Sequence, residues 1–553
     1  MERRLSSFFT PETAGKAGYI ETAGLVRGGP GGFSFDPAVT SLEFDSRQVR
    51  PGALYFALRG LHADGHAFIP AALAGGAAVI IHQEPLAEYR DGAVYIRVRD
   101  SRFAMSPVAD AFYGYPSRHL AVIGVTGTEG KSTTVYLIYQ LLTLLGRKTG
   151  FISTVSYSDG GEEQWNPQHQ TTPEATAIHR LLADMRDQGT EFAILESSSH
   201  GLSSRTNRMG DAAFDAAVMT RVTHEHLEFH GSWEQYRHDK ANLFRALDAV
   251  SHFKRFGPSR NGDEATHPVE VPCFGVVNAD DESAAYFAAA TQARTYSYST
   301  QGREADLSLV SIESGIRGNR FRVRNGGSCG SGGMLDITDR LPGAFNAGNV
   351  LAALLAVSGI LSVPVETLTP LVPRLKPVWG RMTAINRGQP FEVLVDYAHT
   401  PSSFDAVFPP LRKRLDSSGG RIIAVFGSAG ERDTVKRPEQ GRIAARWSDL
   451  VVLTDEDPRG EDSMTILEEI AAGCPGRRRG EDLFLIPNRP AAIRQAFSLA
   501  RPGDLVLLLG KGHENSIIYA DKTAAYDELA EAGQALAEMG YDAARGVCRA
   551  SRF

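Results

Sequence analysis

The chain of 553 residues, 42% of them apolar, is long enough for about three domains that each bury a core, because a domain usually contains about 100–200 residues. It has 58 Lys and Arg residues and 65 Asp and Glu residues, which gives a net charge of -7, and it has no dominant basic block. This charge distribution argues against a nucleic-acid-binding protein. The four cysteines have no C-x-x-C spacing, which argues against a zinc ribbon or a disulfide framework and suits a reducing compartment.

The N-terminal sequence MERRLSSFFTPETAG lacks the continuous apolar core of a signal peptide. No apolar run elsewhere reaches the length of about 18 residues that spans a bilayer. We therefore predict a cytoplasmic protein that does not insert into membranes and whose partners are small molecules.

The first predicted domain covers residues 1–118. Short β-rich runs such as ALYFAL, AAVIIH and AVYIRV are broken by Gly and Pro turns, and only one or two helical windows intervene. This pattern predicts a small mixed α/β domain.

The second predicted domain covers residues 119–377 and alternates strands with helices. LAVIGVTG runs into the helical KSTTVYLIYQLLTLLG, and the buried strands EFAILESSS and FDAAVMTRV precede a helical window, SWEQYRHDKANLFRAL. Such alternation predicts a mostly parallel sheet covered by helices. Two Gly/Pro-rich stretches without an apolar period, residues 254–272 and 325–334, are interpreted as surface loops.

The third predicted domain covers residues 378–553, where the alternation starts again. Four apolar runs, FEVLVDYAH, RIIAVFGSAG, DLVVLTDEDPR and DLVLLLGKGH, each lie next to a helical window. They predict a second open α/β sheet of the Rossmann-like kind. The predicted fold class is therefore α/β in three domains.

A glycine-rich loop, GVTGTEGKSTT at residues 124–134, separates a predicted strand from a long helix. It ends like a Walker A motif, but Val125 replaces the opening glycine of that motif. The order of strand, loop and helix directs backbone N–H groups and the positive end of the helix dipole to one point, where phosphate binds. Lys131 would reach the terminal phosphates and Ser132 would offer its hydroxyl to Mg²⁺, so the loop predicts an ATP site.

Three further features carry candidate chemistry. Glu196 ends a strand at the sheet edge where open α/β sheets bind ligands, so its carboxylate is a candidate ligand for Mg²⁺. His224, His226 and His230 have a spacing that suggests zinc, but no thiol or H-E-x-x-H pattern supports it, and we interpret them as solvated loop histidines. Lys240 lies on a helix, where a lysine considered by itself is predicted to be exposed.

Taken together, these stretches resemble the Mur ligases, which form amide bonds with ATP in peptidoglycan precursor synthesis. GVTGTEGKSTT is similar to the family's shortened phosphate loop, G-x-T-G-T-x-G-K-[ST]-T. The first domain looks like that of the MurE-type branch, which adds the third residue of the stem peptide. Over residues 40–520 the resemblance rests on motifs in the family's order: DSRQVRPGALYFALRG, QTTPEA, LESSSHGLSSR, THEHLEFHG, YRHDKANLF, PGAFNAGNVLAA, PVWGRM, DYAHTPSSF, VFGSAGERDTVKRP, DEDPRGED and GKGHE.

The resemblance implies an ATP site with two Mg²⁺ ions. Ser132 and Glu196 would hold one Mg²⁺ and His226 the second, while Lys240 would be the family's carbamylated lysine. A carbamate is an oxygen-ligand anion of the kind that hard cations prefer, whereas an ammonium repels them. The ATP-binding residues implied are Gly127, Thr128, Gly130, Lys131, Ser132, Thr133, Asn349 facing adenine, Arg381 facing the γ-phosphate, and Asp396 and His399 of the third domain. ATP would then lie between two domains, and their closure would assemble the site.

The resemblance also implies two further binding sites. Ser46 and His66 would hold the uridine diphosphate end of the acceptor. The residues near its muramoyl-peptide would be Thr171, Thr172, Ser198 and Arg205. The residues that bind the amino acid would be Arg432, Asp457, Arg459, Gly510 and Glu514.

The implied reaction joins a diamino acid to UDP-N-acetylmuramoyl-L-alanyl-D-glutamate. A carboxylate is a poor electrophile, so the γ-phosphoryl group of ATP would be moved onto it while Mg²⁺, Lys131 and Arg381 neutralise charge. The amine would then attack the acyl phosphate. The catalytic set implied is Lys131, Glu196, His226, Lys240 and Arg381. The protein must orient three substrates and exclude water, which suits three domains around one cleft. We expect a monomer.

Two residues depart from the family's pattern. Glu129 stands where the phosphate loop usually carries Asn, which adds negative charge beside phosphate. In DEDPR, Asp457 replaces the Asn of the D-N-P-R found in diaminopimelate-adding relatives, while Arg459 is retained. Arginine suits a substrate carboxylate and Asp457 favours an ammonium, so diaminopimelate is slightly favoured and lysine and ornithine stay open.

Two alternative functions stay open on the sequence alone. Folylpolyglutamate and cyanophycin synthetases share the central ATPase core, but the first domain argues against both because it belongs to UDP-muramoyl acceptors. A binding or regulatory homologue that has lost turnover would be compatible with Glu129, but the intact catalytic set argues against it.

Overall fold

The computed structural model describes residues 2–23, 36–60, 63–166, 170–223, 227–257, 267–315, 318–416 and 419–541. The chain divides into two compact units. Unit 1 comprises Met1–Ser314, Gly318–Arg340 and Ala344–Leu375, and unit 2 comprises Gly315–Arg317, Leu341–Gly343 and Lys376–Phe553.

The first part of unit 1 is a mixed α/β sheet, as the sequence predicts. Its strands are β1 (Arg3–Arg4), β2 (Tyr19–Ala23), β3 (Ala38–Val39), β4 (Ser41–Glu43), β5 (Ala53–Phe56), β6 (Val79–His82) and β7 (Val94–Val98), and its helices are α1 (Leu5–Phe8), α2 (Pro11–Lys16), α3 (Ile69–Ala74) and α4 (Ser101–Phe112). The sheet order is β2-β7-β6-β5-β4, with β4 to β7 parallel and β2 antiparallel, while β1 pairs with β3. Strands β5 and β6 are buried throughout, which explains why they are apolar except for His82 at the end of β6.

The rest of unit 1 contains one large sheet and one separate two-stranded sheet. Its strands are β8 (Ala121–Thr126), β9 (Thr149–Ile152), β10 (Ser156–Ser158), β11 (Gln164–Trp165), β12 (Phe192–Glu196), β13 (Ala216–Met219), β14 (Phe253–Lys254), β15 (Val269–Glu270), β16 (Phe274–Asn278), β17 (Arg294–Ser299), β18 (Leu307–Gly315), β19 (Gly318–Asn325) and β20 (Gly333–Thr338). Its helices are α5 (Lys131–Leu144), α6 (Ala175–Asp187), α7 (Ser199–Leu202), α8 (Leu227–His230), α9 (Trp233–Arg245), α10 (Ala284–Ala288) and α11 (Asn346–Leu361). The sheet order is β11-β10-β9-β12-β8-β13-β16-β17-β18-β19-β20, and β14 pairs with β15 outside it.

Strand β8 is the strand that positions the site. It is buried along its whole length and lies between β12 and β13, which run parallel to it. Parallel strands present their carboxyl ends at the same sheet edge, so the residues that follow β8, β12 and β13 gather there. The mostly parallel sheet is therefore confirmed, with antiparallel pairs at β9-β10-β11 and β19-β20.

The structure agrees with one of the two loops predicted for this domain and differs from the other. The stretch at 325–334 includes the turn between β19 and β20, as expected of a loop. The loop prediction for 254–272 is wrong at its ends, because Lys254 is fully buried in β14 and its ammonium lies 2.8 Å from Asp215 Oδ2. A buried charge is tolerated when it is paired, and that partner is distant in sequence. Residues 258–266 lie outside the described residues.

Unit 2 is an open α/β sheet, as predicted. Its strands are β21 (Thr383–Ile385), β22 (Glu392–Asp396), β23 (Ile422–Phe426), β24 (Leu450–Leu453), β25 (Leu483–Leu485), β26 (Leu505–Leu509), β27 (Ser516–Ile518) and β28 (Thr523–Ala525), and its helices are α12 (Pro401–Asp416), α13 (Lys436–Trp447), α14 (Ser463–Ala471), α15 (Arg489–Leu499) and α16 (Glu528–Glu538). The sheet order is β21-β22-β26-β23-β24-β25, antiparallel only at β21, and β27 pairs with β28. Apolar clusters cover both faces of this sheet, as expected for a doubly wound fold.

Within the described part of the chain, no single helix is long and apolar enough to cross a membrane. One pair, Asn346–Leu361 and Val365–Arg374, meets the length and composition requirement only when taken together, and the two helices are bent by 112°.

Candidate active site

The three glycines of the phosphate loop are required for different structural reasons. Gly124 belongs to β8, where an added Cβ would lie 2.4 Å from Leu243 Cδ1, so this glycine serves strand packing. Gly127 has φ of +149° and Gly130 has φ of +81°. An added Cβ would lie 2.0 Å from Thr220 Oγ1 at the first position and 2.5 Å from Asn349 Oδ1 at the second. Both loop positions therefore require glycine by conformation and by space.

The loop between these glycines is fixed by its neighbours. Thr128 N donates to the Arg221 carbonyl at 2.5 Å, and Thr128 Oγ1 donates to the Thr223 carbonyl at 3.0 Å. Thr220 Oγ1 donates to the Glu129 carbonyl at 2.6 Å. Since Arg221 and Thr223 follow β13, hydrogen bonds from the segment after the neighbouring strand hold the loop in shape.

We expect the Glu129→Asn variant to turn over ATP as fast as the wild type or faster. The Glu129 side chain is half-buried, while its main chain is held by Thr220, so the substitution changes charge without changing the path of the loop. Removing a carboxylate beside phosphate lowers electrostatic repulsion. Steady-state kcat and KM for ATP measure the effect, with Glu162→Gln, an exposed carboxylate, as control. Loss of turnover in Glu129→Asn alone would show that this carboxylate has a positive role.

Lys131 and Ser132 begin α5 directly after the loop. Lys131 Nζ donates to the Thr128 carbonyl at 2.8 Å, so the ammonium lies over the loop. Ser132 Oγ donates to Glu196 Oε1 at 3.0 Å, and Glu196 Oε2 accepts from Thr154 N at 2.8 Å. Thr133 is the next, half-buried residue of the helix. The structure thus brings together the hydroxyl and the carboxylate that the sequence analysis assigned to one Mg²⁺.

Lys240 lies on α9 and is only 2% exposed. Its Nζ donates to the Gly127 carbonyl at 2.6 Å and lies 4.6 Å from the centroid of the Tyr236 ring. The exposed position predicted from residue type alone is therefore wrong, and Lys240 contacts the phosphate loop.

Asn349 lies on α11 beside the same loop and is buried. Its Oδ1 accepts from Thr134 Oγ1 at 3.3 Å, and its Nδ2 donates to Asn346 Oδ1 at 2.9 Å. The amide therefore lies next to Gly130, at the start of α5.

One cavity of about 190 Å³ joins the loop to the predicted acceptor residues. Its lining residues are Lys131, Gln170, Thr171, Thr172, Ser198, Ser199, His200, Arg208 and Lys240. Thr172 Oγ1 donates to the Glu196 carbonyl at 3.1 Å and accepts from Ser198 N at 3.0 Å, which ties this wall to the end of β12. Residues far apart in sequence, from the ATP group and the acceptor group, therefore meet in one cavity.

Arg208 lines this cavity, whereas Arg205 is not among the lining residues. Arg205 Nη1 donates to the Phe229 carbonyl at 2.6 Å, and its guanidinium lies 4.7 Å from the centroid of that ring. Arg208 Nη1 donates to the Thr172 carbonyl at 2.8 Å, and Arg208 Nη2 donates to Glu174 Oε1 at 2.7 Å. The sequence analysis missed Arg208, which lies three residues beyond the end of the motif LESSSHGLSSR.

The structure treats differently the three histidines whose spacing suggests zinc. His224 and His226 lie outside the described residues. His230 is 6% exposed, its Nδ1 lies 2.7 Å from Asp239 Oδ2, and its Nε2 lies 3.1 Å from Ser199 Oγ. The interpretation as a solvated loop residue is therefore wrong for His230, because it ends α8 and its imidazole is buried against Asp239 and Tyr236 of α9. In the described ranges, no group of three or more His, Cys, Asp and Glu side chains is arranged to hold a metal.

Ser46 and His66 lie on two short 3-10 helices, Ser46–Gln48 and Gly65–Phe68, that pack against α3. Asp45 caps the first, and Ser46 itself is half-buried. His66 Nδ1 lies 2.6 Å from Asp64 Oδ1, and His66 Nε2 accepts from Gln83 N at 3.2 Å. The imidazole is therefore held in one orientation by the chain itself.

The predicted nucleotide residues of unit 2 gather at the end of β22. Asp396 accepts from Met382 N and Ala398 N, both at 2.8 Å, and burial raises its pKa. The Arg381 guanidinium lies 4.6 Å from the centroid of the Tyr397 ring. His399 Nδ1 lies 2.8 Å from the Tyr397 carbonyl.

Lys511 lies between two carboxylates of the predicted amino-acid site. Its Nζ donates to Asp457 Oδ1 at 2.9 Å and to Glu514 Oε2 at 2.5 Å. Asp457 Oδ1 also accepts from Ile518 N at 2.9 Å. The sequence analysis expected these anions to surround a substrate ammonium and missed that the chain supplies one itself.

Glu456 is a buried carboxylate beside this cluster, and burial raises its pKa. An added Cβ on Gly510, which has φ of +98°, would lie 3.1 Å from Glu456 Oε2. Arg459 has φ of +54°, and its N donates to the Ile518 carbonyl at 2.9 Å. Arg432 is exposed.

Three family sequence models match this chain in order. The Mur ligase family catalytic domain matches residues 38–113, the Mur ligase middle domain matches residues 125–253 and 265–357, and the Mur ligase glutamate ligase domain matches residues 380–512. Together the three matches cover well over half of the chain.

Similar proteins agree with these matches. A UDP-N-acetylmuramyl-tripeptide synthetase of Treponema denticola is 50% identical over 509 residues, covering 89% of this chain and 92% of the relative. A UDP-N-acetylmuramoyl-L-alanyl-D-glutamate–2,6-diaminopimelate ligase of Bacillus velezensis is 37% identical, covering 91% and 95%. A solved structure of a ligase with that second name has a TM-score of 0.57 at 26% identity, covering 91% of this chain and 95% of its own. This chain therefore belongs to the Mur ligase family and is an ATP-dependent ligase.

Proposed function

We propose that this ligase adds a diamino acid to UDP-N-acetylmuramoyl-L-alanyl-D-glutamate during peptidoglycan synthesis, in the manner of the MurE-type branch. The observation that carries the proposal is the cavity in which Lys131 and Lys240 face Thr171, Thr172 and Ser198. An acceptor carboxylate bound there would lie beside the phosphate loop. The names of the similar tripeptide synthetase and diaminopimelate ligase support the same acceptor.

The side chains at the loop fit the Mg²⁺ that the family implies. Ser132 Oγ and Glu196 Oε1 are buried and 3.0 Å apart, and neutral and anionic oxygens are the donors that Mg²⁺ prefers. We propose His226 and a carbamate on Lys240 for the second ion. Bound Mg²⁺ would neutralise charge on the ATP phosphates. Lys131 would bind the terminal phosphates, and Thr172 and Ser198 would orient the acceptor carboxylate toward them.

Further parts of the proposal extend from the family. Arg381, Asp396 and His399 would bind the nucleotide, and Ser46 and His66 the uridine diphosphate. The domains would be 1–118, 119–377 and 378–553. The protein would be cytoplasmic, since its substrates are ATP and a nucleotide-linked precursor. It would be a monomer, and its loss would affect cell shape and division.

Phosphate release in the presence of purified acceptor and ATP tests the proposed function. We expect release that depends on both the acceptor and a diamino acid, and none when the acceptor is replaced by a folate substrate. Phosphate release with folate and glutamate would favour the folylpolyglutamate alternative, against which the first-domain match at 38–113 already argues. Binding of the acceptor without release under any amine would favour a homologue that has lost turnover.

The amino acid is the least constrained part of the proposal. Lys511 compensates one of the two charges of Asp457 and Glu514, so this cluster keeps a net negative charge that suits an ammonium. Arg459 would then bind a carboxylate at the far end of the amino acid. Diaminopimelate carries both groups there, whereas lysine and ornithine carry only the ammonium, so we propose diaminopimelate ahead of the other two.

We expect Arg459→Ala to lower kcat/KM for diaminopimelate by an amount equivalent to about 1.5–3 kcal/mol, the value of a lost charged hydrogen bond. The values for lysine and ornithine should change less. Arg442→Ala removes an exposed arginine of the same unit and serves as control. Unchanged use of diaminopimelate by Arg459→Ala would mean that this arginine does not bind a carboxylate, and lysine or ornithine would become the better assignment.

A further inference from the structure

A buried serine, histidine and aspartate form a hydrogen-bonded chain at the wall of the cavity. His230 Nε2 lies 3.1 Å from Ser199 Oγ, and His230 Nδ1 lies 2.7 Å from Asp239 Oδ2. All three residues are at most 6% exposed. Ser199 lines the cavity together with Lys131 and Lys240. The chain therefore leads from the cavity wall into the protein interior.

Asp239 fixes the direction of these hydrogen bonds. Asp239 Oδ1 accepts from Gln235 Nε2 at 2.9 Å, and Asp239 Oδ2 lies 2.7 Å from His230 Nδ1. A carboxylate oxygen accepts the Nδ1 proton of His230, which leaves Nε2 as the acceptor for the Ser199 hydroxyl. Ser199 itself lines the cavity.

Several other groups face the His230 ring. The ring centroids of His200, Tyr236 and Phe229 lie 5.3, 5.1 and 4.7 Å from it. The Lys240 ammonium lies on the Tyr236 ring at 4.6 Å. Asp239 is thus the carboxylate in contact with the imidazole, and His200 is the nearby group that can carry positive charge.

We propose that Ser199 accepts the proton that the attacking amine must lose, and that His230 and Asp239 position Ser199 for this transfer. The inference rests on the proposed function, because the amine attacks an acyl phosphate in this cavity. It assigns to Ser199 a role in the second chemical step only. Ser199 is the catalytic residue of the inference, and His230 and Asp239 are positioning residues.

The proposed step balances in atoms and charge. The neutral amine nitrogen forms a bond to the acyl carbon, which leaves that nitrogen with a positive charge and one proton too many. This proton passes to Ser199 Oγ as the Ser199 proton passes to His230 Nε2. The C–O bond to phosphate breaks, and inorganic phosphate leaves with the electron pair. The imidazolium, held by Asp239, later returns its proton to solvent.

Other cavity residues are less suited to accept this proton. Lys131 and Arg208 are cations that donate hydrogen bonds. Thr172 Oγ1 donates to the Glu196 carbonyl, and Ser198 Oγ accepts the Gly201 N–H that caps a helical turn. Ser199 is coupled directly to an imidazole backed by a carboxylate, which is the arrangement that makes a hydroxyl a proton carrier.

Separate measurement of the two chemical steps tests the inference. Oxygen-isotope exchange within labelled ATP, with acceptor and without amine, reports acyl-phosphate formation, and tripeptide production reports the complete reaction. In His230→Gln and Ser199→Ala we expect the exchange to persist at close to the wild-type rate. Tripeptide kcat should fall by about 10²-fold, the usual contribution of general base catalysis.

The chain offers a matched control in a second buried cluster. His179 Nε2 lies 3.3 Å from Ser106 Oγ, and His179 Nδ1 lies 3.4 Å from Asp110 Oδ1, but none of these residues lines the cavity. We expect His179→Gln to leave the ratio of the two rates unchanged. Equal loss of exchange and tripeptide formation in His230→Gln and Ser199→Ala would show a merely structural role and overturn the inference.

Two further outcomes are informative. His200 also lines the cavity, so selective loss of tripeptide formation in His200→Gln with none in Ser199→Ala would transfer the role to His200 and overturn the inference. Absence of isotope exchange in the wild-type protein would instead contradict the proposed function. The failure of the inference and the failure of the proposed function are therefore distinguishable.

Discussion

Lys131→Ala should lower the rate of acyl-phosphate formation by about 10³-fold, the upper range for loss of one donor aimed at developing charge. Lys131 begins α5 at the positive end of the helix dipole, and its ammonium already lies over the phosphate loop through the Thr128 carbonyl. Without it, negative charge on the transferring phosphoryl group is left uncompensated in a largely buried site. Isotope exchange in labelled ATP measures the effect on this step alone.

Lys148→Ala is the control for Lys131→Ala, because Lys148 is an exposed lysine of the same domain whose Nζ donates to the Gln188 carbonyl. Its exchange rate should equal that of the wild type. Exchange by Lys131→Ala within about tenfold of the wild-type rate would contradict the role assigned to the phosphate loop.

Lys240→Ala should lose most tripeptide-forming activity and regain part of it when formate or acetate is added. Lys240 is buried at the Gly127 carbonyl, so its removal empties a position beside the phosphate loop. If Lys240 acts as a carbamate, a small carboxylate can supply the missing oxygens to a hard cation. Tripeptide kcat over a range of carboxylate concentrations measures the rescue.

Lys254→Met is a matched control, since Lys254 is an equally buried lysine that is paired with Asp215. Any activity it loses should not return with added carboxylates. A Lys240→Arg variant with normal turnover would refute the carbamate, because a guanidinium cannot be carbamylated in this way.

The sequence determined much of the fold because its signals are local. Alternation of apolar strands with helical windows follows from backbone periodicity, and it predicted two α/β sheets that the structure contains. The phosphate loop was equally predictable, since Gly127 and Gly130 adopt conformations that other residues rarely adopt. The pairing of Ser132 with Glu196 came from the family resemblance, and the structure places the two side chains together because β8 and β12 are neighbouring parallel strands that end at one edge.

Only the tertiary structure decided which side chains are buried and paired. Lys240, Lys254 and His230 belong to residue types that are usually exposed, and each is buried by a contact with a residue far from it in sequence. The same holds for Lys511, which meets Asp457 across unit 2. Burying a charged or polar group costs free energy, and a suitable hydrogen-bonding or charged partner offsets that cost. The partner is provided by the packing of distant segments and not by any local pattern in the chain.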